Sequence, residues 1–314
     1  MRTTSPQRLR RAIVQAGLRA GVWGTARLPI NEQHRAVRSL VWLLGALPTM
    51  RRRIRENMSL ALGPDVPAQS ETLYFRHLGW FLASALSTFH HGVDATPTLT
   101  DLKFDDSLRI LDDAVAEGRG VVIASPHWSG HELAAAAIGR RHPLVLLVRE
   151  APTADRMARK LKWYKALGTE IVVRRGHLSP IKDAVTCLNV LKRGKVLALT
   201  PDLLADAGDG VDVQIFGRPA RLYGGAFAIA LSARAPIIRP FVTWQSNSRA
   251  VITMQRSRTF SNGDDRDAAV RTGVQDWCDW FEEKLRANPE NWLFWLDKRW
   301  SRFLRETQRP PSLV

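Results

Sequence analysis

Along the first ninety residues, apolar positions recur near the 3.6-residue period of a helix. Leu9, Ile13, Ala16, Ala20 and Trp23 trace one face, with arginines between them. A second helix is expected from Asn31 to about Leu47, closed by Pro48. Ile54, Met58 and Ala61 mark one side of a third, which stops at Gly63-Pro64. Ser70 is placed to cap a fourth, with Leu73, His77, Phe81 and Ala85 along one face. The stretch from His77 to Val93 carries three histidines but no Asp, Glu, Lys or Arg, and reads as a buried helix.

From about residue 106 the period changes. Short runs rich in Val, Ile and Leu, at Val121–Ala124, Leu144–Val148, Ile171–Arg174 and Lys195–Thr200, predict strands. Helical patterns near 132–140, 153–167 and 179–193 separate them. Ser179-Pro180 suits a helix start, and Gly168 and Gly194 suit helix ends. Ile237–Thr243 and Val251–Gln255 predict further strands, and Asp264–Ala287 a long helix. Alternation of this kind implies an α/β fold, with a largely parallel central sheet flanked by helices and preceded by a helical N-terminal region. The expected organisation is a helical, arginine-rich region over 1–95, an α/β core over 96–307 and a loose tail over 308–314.

Charge sharpens this division. The 314-residue chain has a net charge of +16. Residues 1–62 hold twelve arginines against Glu32 and Glu56, so +10 of that charge lies in the first fifth. Such a cluster suits phosphate, in nucleic acid or in anionic lipid headgroups, or else forms a solvated face. Ser39–Met50 is uncharged and apolar but only twelve residues long, short of the roughly 20 that a membrane span needs. Arginines interrupt any signal-peptide core near the start. The expectation is a protein lying on a membrane. Cys187 and Cys278 stand far apart without a CxxC pattern, which argues against a disulfide framework or structural zinc and favours a reducing compartment.

The segment richest in chemistry is Val121-Val-Ile-Ala-Ser-Pro-His127-Trp-Ser-Gly-His-Glu132. It runs from a strand through a turn into an alanine-rich helix, and the carboxyl end of a strand is where open α/β sheets bind ligands. Five residues at about 100° each would set His127 and Glu132 roughly 140° apart on a continuous helix. A turn at Pro126 and Gly130 could instead fold the imidazole towards the carboxylate. The spacing leaves three uses open. His127 and Glu132 can form a general base, Ser129-x-x-Glu132 can form a capping box, or His127, His131 and Glu132 can bind metal.

Further blocks carry a resemblance. Leu147-Val-Arg149-Glu-Ala-Pro152, Val173-Arg-Arg175-Gly176, Leu199-Thr-Pro201-Asp202, Phe216-Gly217 and Pro289-Glu290-Asn-Trp292 follow His-x4-Glu in order. This arrangement resembles the lipid A biosynthesis (lauroyl or myristoyl) acyltransferase branch of the glycerolipid acyltransferase superfamily, and the related mycobacterial phosphatidylinositol mannoside acyltransferases. It covers roughly residues 105–300, together with the arginine-rich stretch Arg52–Leu60.

The resemblance implies acyl transfer from a thioester, carried by acyl carrier protein or coenzyme A, to a hydroxyl of a lipid or glycolipid. No cofactor or metal is implied beyond the donor. His127 would deprotonate the acceptor and Glu132 would hold and polarise His127. Arg149 and Arg175 would bind phosphate, with Arg174 competing for the latter role because adjacent strand residues point to opposite faces. Asp202 would organise the site or cap its loop. The expected partners are anionic membrane lipids, the acceptor and acyl carrier protein, at the cytoplasmic face of the inner membrane and without nucleic acid. The chain departs from the family pattern in showing no N-terminal span, in placing Leu204 and Asp206 after the Pro-Asp block, and in lacking a histidine near Lys298-Arg299. Two rival readings come from other classes: a metal-dependent hydrolase using His127 and His131, and a basic nucleic-acid-binding protein whose late tryptophans stack bases.

Overall fold

The computed structural model describes residues 24–25, 27–95, 102–174, 180–206, 208–245, 248–257 and 265–306. The expected helix at Leu9–Trp23, Arg175, Ser179 and the tail from 308 lie outside them.

Three helices open the described chain: α1 (Ile30–Ala46), α2 (Pro48–Leu62) and α3 (Ser70–His91). Leu47 separates the first two in extended conformation, at φ −68° and ψ 118°, because the residue before a proline is driven out of the helical region. Pro48 then occupies the first turn of α2, where its missing N–H costs nothing. Ser70 does not cap α3. Gln69 holds that position without a side-chain bond, and Ser70 is buried in the first turn.

The core that follows comprises β1 (Leu102–Phe104), α4 (Leu108–Ala116), β2 (Val121–Ala124), α5 (His131–Gly139), β3 (Leu144–Arg149), α6 (Ala154–Ala166), β4 (Glu170–Arg174), α7 (Pro180–Lys192) and β5 (Val196–Leu199). A hairpin of β6 (Val211–Ile215) and β7 (Arg218–Leu222) precedes α8 (Gly225–Ala233), β8 (Ile237–Trp244), β9 (Ala250–Arg256) and α9 (Arg266–Ala287). Two short 3₁₀ turns, Pro289–Asn291 and Leu293–Leu296, lead to α10 (Lys298–Glu306).

Seven strands form one sheet in the order β1-β9-β8-β2-β5-β3-β4. Every pairing is parallel except β8 with β9. Central β2 is buried at all four positions, as its uninterrupted Val-Val-Ile-Ala run requires of a strand covered on both faces. The core is continuous from Ile54 and Met58 in α2, through Phe81 in α3, to Trp277 and Phe281 in α9. Trp277, Trp280, Trp292, Trp295 and Trp300 are all buried within it. The late tryptophans are therefore core, and neither stack bases nor face lipid.

The hairpin β6–β7 was not expected as strands. Its two-residue loop, Phe216-Gly217, has both residues at positive φ (55° and 67°), the twist that a tight antiparallel hairpin needs.

Candidate active site

Register builds the site. Ala124, the last residue of β2, pairs with Leu199, the last residue of β5. The Ser125 N–H continues the ladder to the Leu199 carbonyl at 3.1 Å. His127 and Asp202 each lie three residues beyond that pair, so two neighbouring parallel strands deliver them to the same point at the carboxyl edge of the sheet.

There the His127 ring meets Asp202, with Nδ1 to Oδ1 at 2.7 Å. Oδ2 of the same carboxylate accepts the His127 backbone N–H and the Trp292 indole N–H, both at 2.8 Å. The Trp300 indole donates to the Asp202 carbonyl at 3.0 Å. Asp202 is wholly buried, while His127 keeps 21% of its side chain exposed. Burial raises the carboxyl's pKa, but the charge of His127 and these bonds outweigh it, so Asp202 lies below its ordinary range. On His127 burial favours the neutral ring. Asp202, with weaker help from Glu132 and Asp297, overcomes that and holds the imidazole above its usual value. With Nδ1–H committed to the carboxylate, Nε2 of the neutral ring is left as the base.

The carboxylate bonded to His127 is thus Asp202 and not Glu132, a correction to the expected dyad. The chain turns at Gly130 (φ 94°), where a Cβ would come within 3.2 Å of Trp244, and α5 starts at His131. Glu132 lies in the first turn of that helix, and its Oε1 accepts from the Tyr164 hydroxyl at 3.4 Å. It acts on His127 through space only. The capping box is not formed either. Gly130 is the N-cap without a side-chain bond, and the Ser129 hydroxyl is buried with no partner among the described residues. His131 directs Nδ1 to the Trp128 carbonyl at 2.9 Å, and burial and the neighbouring His127 lower its pKa. Among the described residues no three His, Cys, Asp or Glu are grouped to hold a metal ion.

A second segment closes the site from behind. The Leu293 N–H donates to the His127 carbonyl at 3.0 Å, and the Ser129 N–H to the Asn291 carbonyl at 2.6 Å. The Phe294 ring stacks on the imidazole at 4.2 Å between centroids. Asn291 is fully buried and binds both the Val242 carbonyl, at 3.1 Å, and His77 Nδ1, at 3.0 Å. Burial drives His77 down to about 4, so it stays neutral there. Trp292, Phe294, Asn291 and Trp300 are not assignable from sequence because their contacts with the segment at His127 or with Asp202 span ninety residues or more. The Pro-Glu block was the one signal in that region.

His127 and Glu132 open into a cavity of about 730 Å³. Its walls are mostly apolar, from Ile123, Ala135, Ile138, Leu146, Leu188 and Ile229. Arg149, Lys160, Arg174 and Arg266 also line it. Arg149 and Arg174 are cross-strand partners at the ends of β3 and β4, and the Arg174 guanidinium sits 5.2 Å from the centre of the Tyr223 ring. Arg174 therefore borders the cavity, whereas Arg175 lies outside the described residues. A larger and more open groove of about 1110 Å³ follows β6, β7 and α9, but it holds no histidine and is remote in composition from this chemistry.

At the strand ends of an α/β sheet, a buried carboxylate–imidazole pair thus opens into a mostly apolar cavity, a setting able to move a proton beside a hydrophobic group. The family model for bacterial lipid A biosynthesis acyltransferases matches residues 2–302, and the chain belongs to that family. It is an O-acyltransferase. Two phosphatidylinositol mannoside acyltransferases from Mycobacterium tuberculosis are similar to it. The H37Rv protein is 24% identical over 267 residues, covering 82% of this chain and 79% of its own length. The CDC 1551 protein is 25% identical over the same extent.

Proposed function

We propose that the protein transfers a fatty acyl chain from acyl carrier protein or coenzyme A to a hydroxyl of a glycolipid or lipid, at the cytoplasmic surface of the membrane. His127 Nε2 takes the proton of the acceptor hydroxyl as its oxygen attacks the thioester carbonyl. Collapse of the tetrahedral intermediate breaks the C–S bond, and the imidazolium returns the proton to the departing sulfur. The products are an ester and a free thiol. Asp202 fixes the ring tautomer and stabilises the imidazolium. Glu132 adds negative charge within the same cavity. The apolar walls suit the acyl chain, and Arg149, Lys160, Arg174 and Arg266 suit phosphate on donor or acceptor.

The observation that carries this reading is the His127–Asp202 pair opening into the apolar cavity. The test incubates purified protein with palmitoyl-coenzyme A or palmitoyl-acyl carrier protein and a bacterial polar lipid extract, followed by lipid mass spectrometry. A lipid gaining one acyl mass, absent with His127→Ala, is expected. Thioester loss without any acylated lipid, or acylation equal in the variant, would overturn it.

A further inference from the structure

Six of the eleven exposed large hydrophobic side chains among the described residues fall between positions 40 and 50. Leu40, Trp42, Leu43, Leu44, Leu47 and Met50 are 36–65% exposed, and Trp42 is the most so. They crowd the elbow where α1 ends and α2 begins. Leu40 and Leu44 lie near one flank of α1, Leu43 on its outer side and Trp42 on the other flank, so the tip is apolar most of the way round. A protein surface seldom leaves such a patch without a partner.

What lies beside the patch indicates which partner. On the Trp42 side, a groove of about 410 Å³ between α1, α2 and α3 is lined by Arg35, Arg38, Arg51 and Arg76. Arg35 pairs with exposed Glu32, and Arg51 is bonded to Thr72 at 3.2 Å and to the Gly45 carbonyl. Arg38 and Arg76 have no carboxylate partner among the described residues. Trp80 also lines this groove, and its buried indole N–H has no acceptor among the described residues. The next residue along α3, Phe81, lines the catalytic cavity. One helix therefore separates an arginine groove, next to an apolar tip, from the active site.

We infer that the α1–α2 elbow is the membrane-docking surface, inserting Trp42 and its leucine neighbours among acyl chains while Arg38 and Arg76 hold anionic lipid headgroups. This rests on the membrane-surface reading above and specifies where contact is made. Apolar residues at a tip with arginines at headgroup depth are the combination that binds an anionic interface. The groove would seat a phosphate, and guanidinium is the side chain suited to grip it in two places.

The test uses the full chain with vesicles of phosphatidylglycerol and phosphatidylcholine in equal parts, read by flotation. Trp42→Ser with Leu43→Ser should lower partitioning at least tenfold. Arg38→Gln with Arg76→Gln should lower it about twenty-five-fold, from about fivefold for each arginine near a charged surface. The second pair should also flatten the salt dependence. Both double variants should keep wild-type turnover on acceptor dispersed in detergent, since none of these residues borders the cavity. Trp42→Phe should keep binding but lose the quenching of tryptophan fluorescence by brominated lipid. Unchanged partitioning of both double variants overturns the inference. So does a wild-type dimer that Trp42→Ser with Leu43→Ser converts to monomer while vesicle binding persists. Failure of wild-type turnover in detergent would count against the acyl-transfer reading alone, because flotation does not depend on it.

Discussion

Replacing Asp202 with Asn separates orientation from shape. The carboxylate has two distinct tasks: Oδ2 accepts two N–H donors, from the His127 backbone and Trp292, while Oδ1 faces the imidazole. An amide can satisfy the first pair only by placing its oxygen at Oδ2, because an NH₂ there would point at two donors. Its NH₂ then lies at Oδ1 and donates to His127 Nδ1. The proton moves to Nε2, and the ring can no longer accept one from the substrate. A wrong tautomer held in otherwise intact geometry costs about 10⁴ in turnover in hydrolases that use a carboxylate–histidine pair. A comparable fall in kcat/KM is expected here, with cooperative unfolding preserved. Glu132→Gln should cost only about tenfold, because Glu132 reaches His127 through space. Acyl transfer to a lipid acceptor measures both, and ¹⁵N NMR of His127 reports which nitrogen carries the proton. If Asp202→Asn loses less than tenfold while Glu132→Gln loses a thousandfold or more, the dyad is wrongly drawn.

The remaining predictions concern titration, the clamp and the cavity. Because the base must be neutral and Asp202 raises the imidazole pKa, kcat/KM should rise with pH through an apparent pKa above the ordinary histidine value; Glu132→Gln should move that limb to lower pH, and a limb unmoved by it would exclude coupling. His127→Ala should lower kcat by about 10²–10⁴ without loss of fold, checked by single-turnover acylation and circular dichroism. Trp292→Phe keeps the ring but removes a donor to a buried carboxylate, so denaturant unfolding should show a loss of about 1.5–3 kcal/mol. Ala135→Phe, in the apolar wall, should shift preference towards shorter acyl donors, read as kcat/KM ratios across a chain-length series.

The parallel strands were legible because β2, β3 and β5 are buried on both faces and therefore appear as unbroken apolar runs. β1 has only three residues, too few to establish a period, and its pairing with β9 is decided across 148 positions. The hairpin β6–β7 did alternate, with Val213 and Ile215 buried and Asp212 and Gln214 exposed. That pattern was available, but Phe216 at positive φ is an unusual turn residue and gave no Asn-Gly signal. At the site, His127 was visible in its own strand–turn–helix context. The resemblance marks Asp202 as a site residue, but its bond to the ring was not legible, because spacing along a chain favours Glu132, five residues away, over Asp202, seventy-five away.

The buried partner also explains why the closing Pro-Glu-Asn-Trp segment belongs to the site. A carboxylate taken out of water is costly unless each lone pair finds a donor. Asp202 receives the His127 ring N–H and two further N–H bonds on its carboxylate, and the tryptophan that supplies one of them fills core volume as well. Trp292 comes into reach through an isolated bridge to Trp128, the residue after the base, so the segment that satisfies the acid also braces the turn carrying the histidine. Loss of any one strut leaves a buried charge underbonded. The pair is therefore held before substrate arrives, and the free energy of folding, rather than that of binding, keeps the His127 ring against Asp202 at the wall of the cavity.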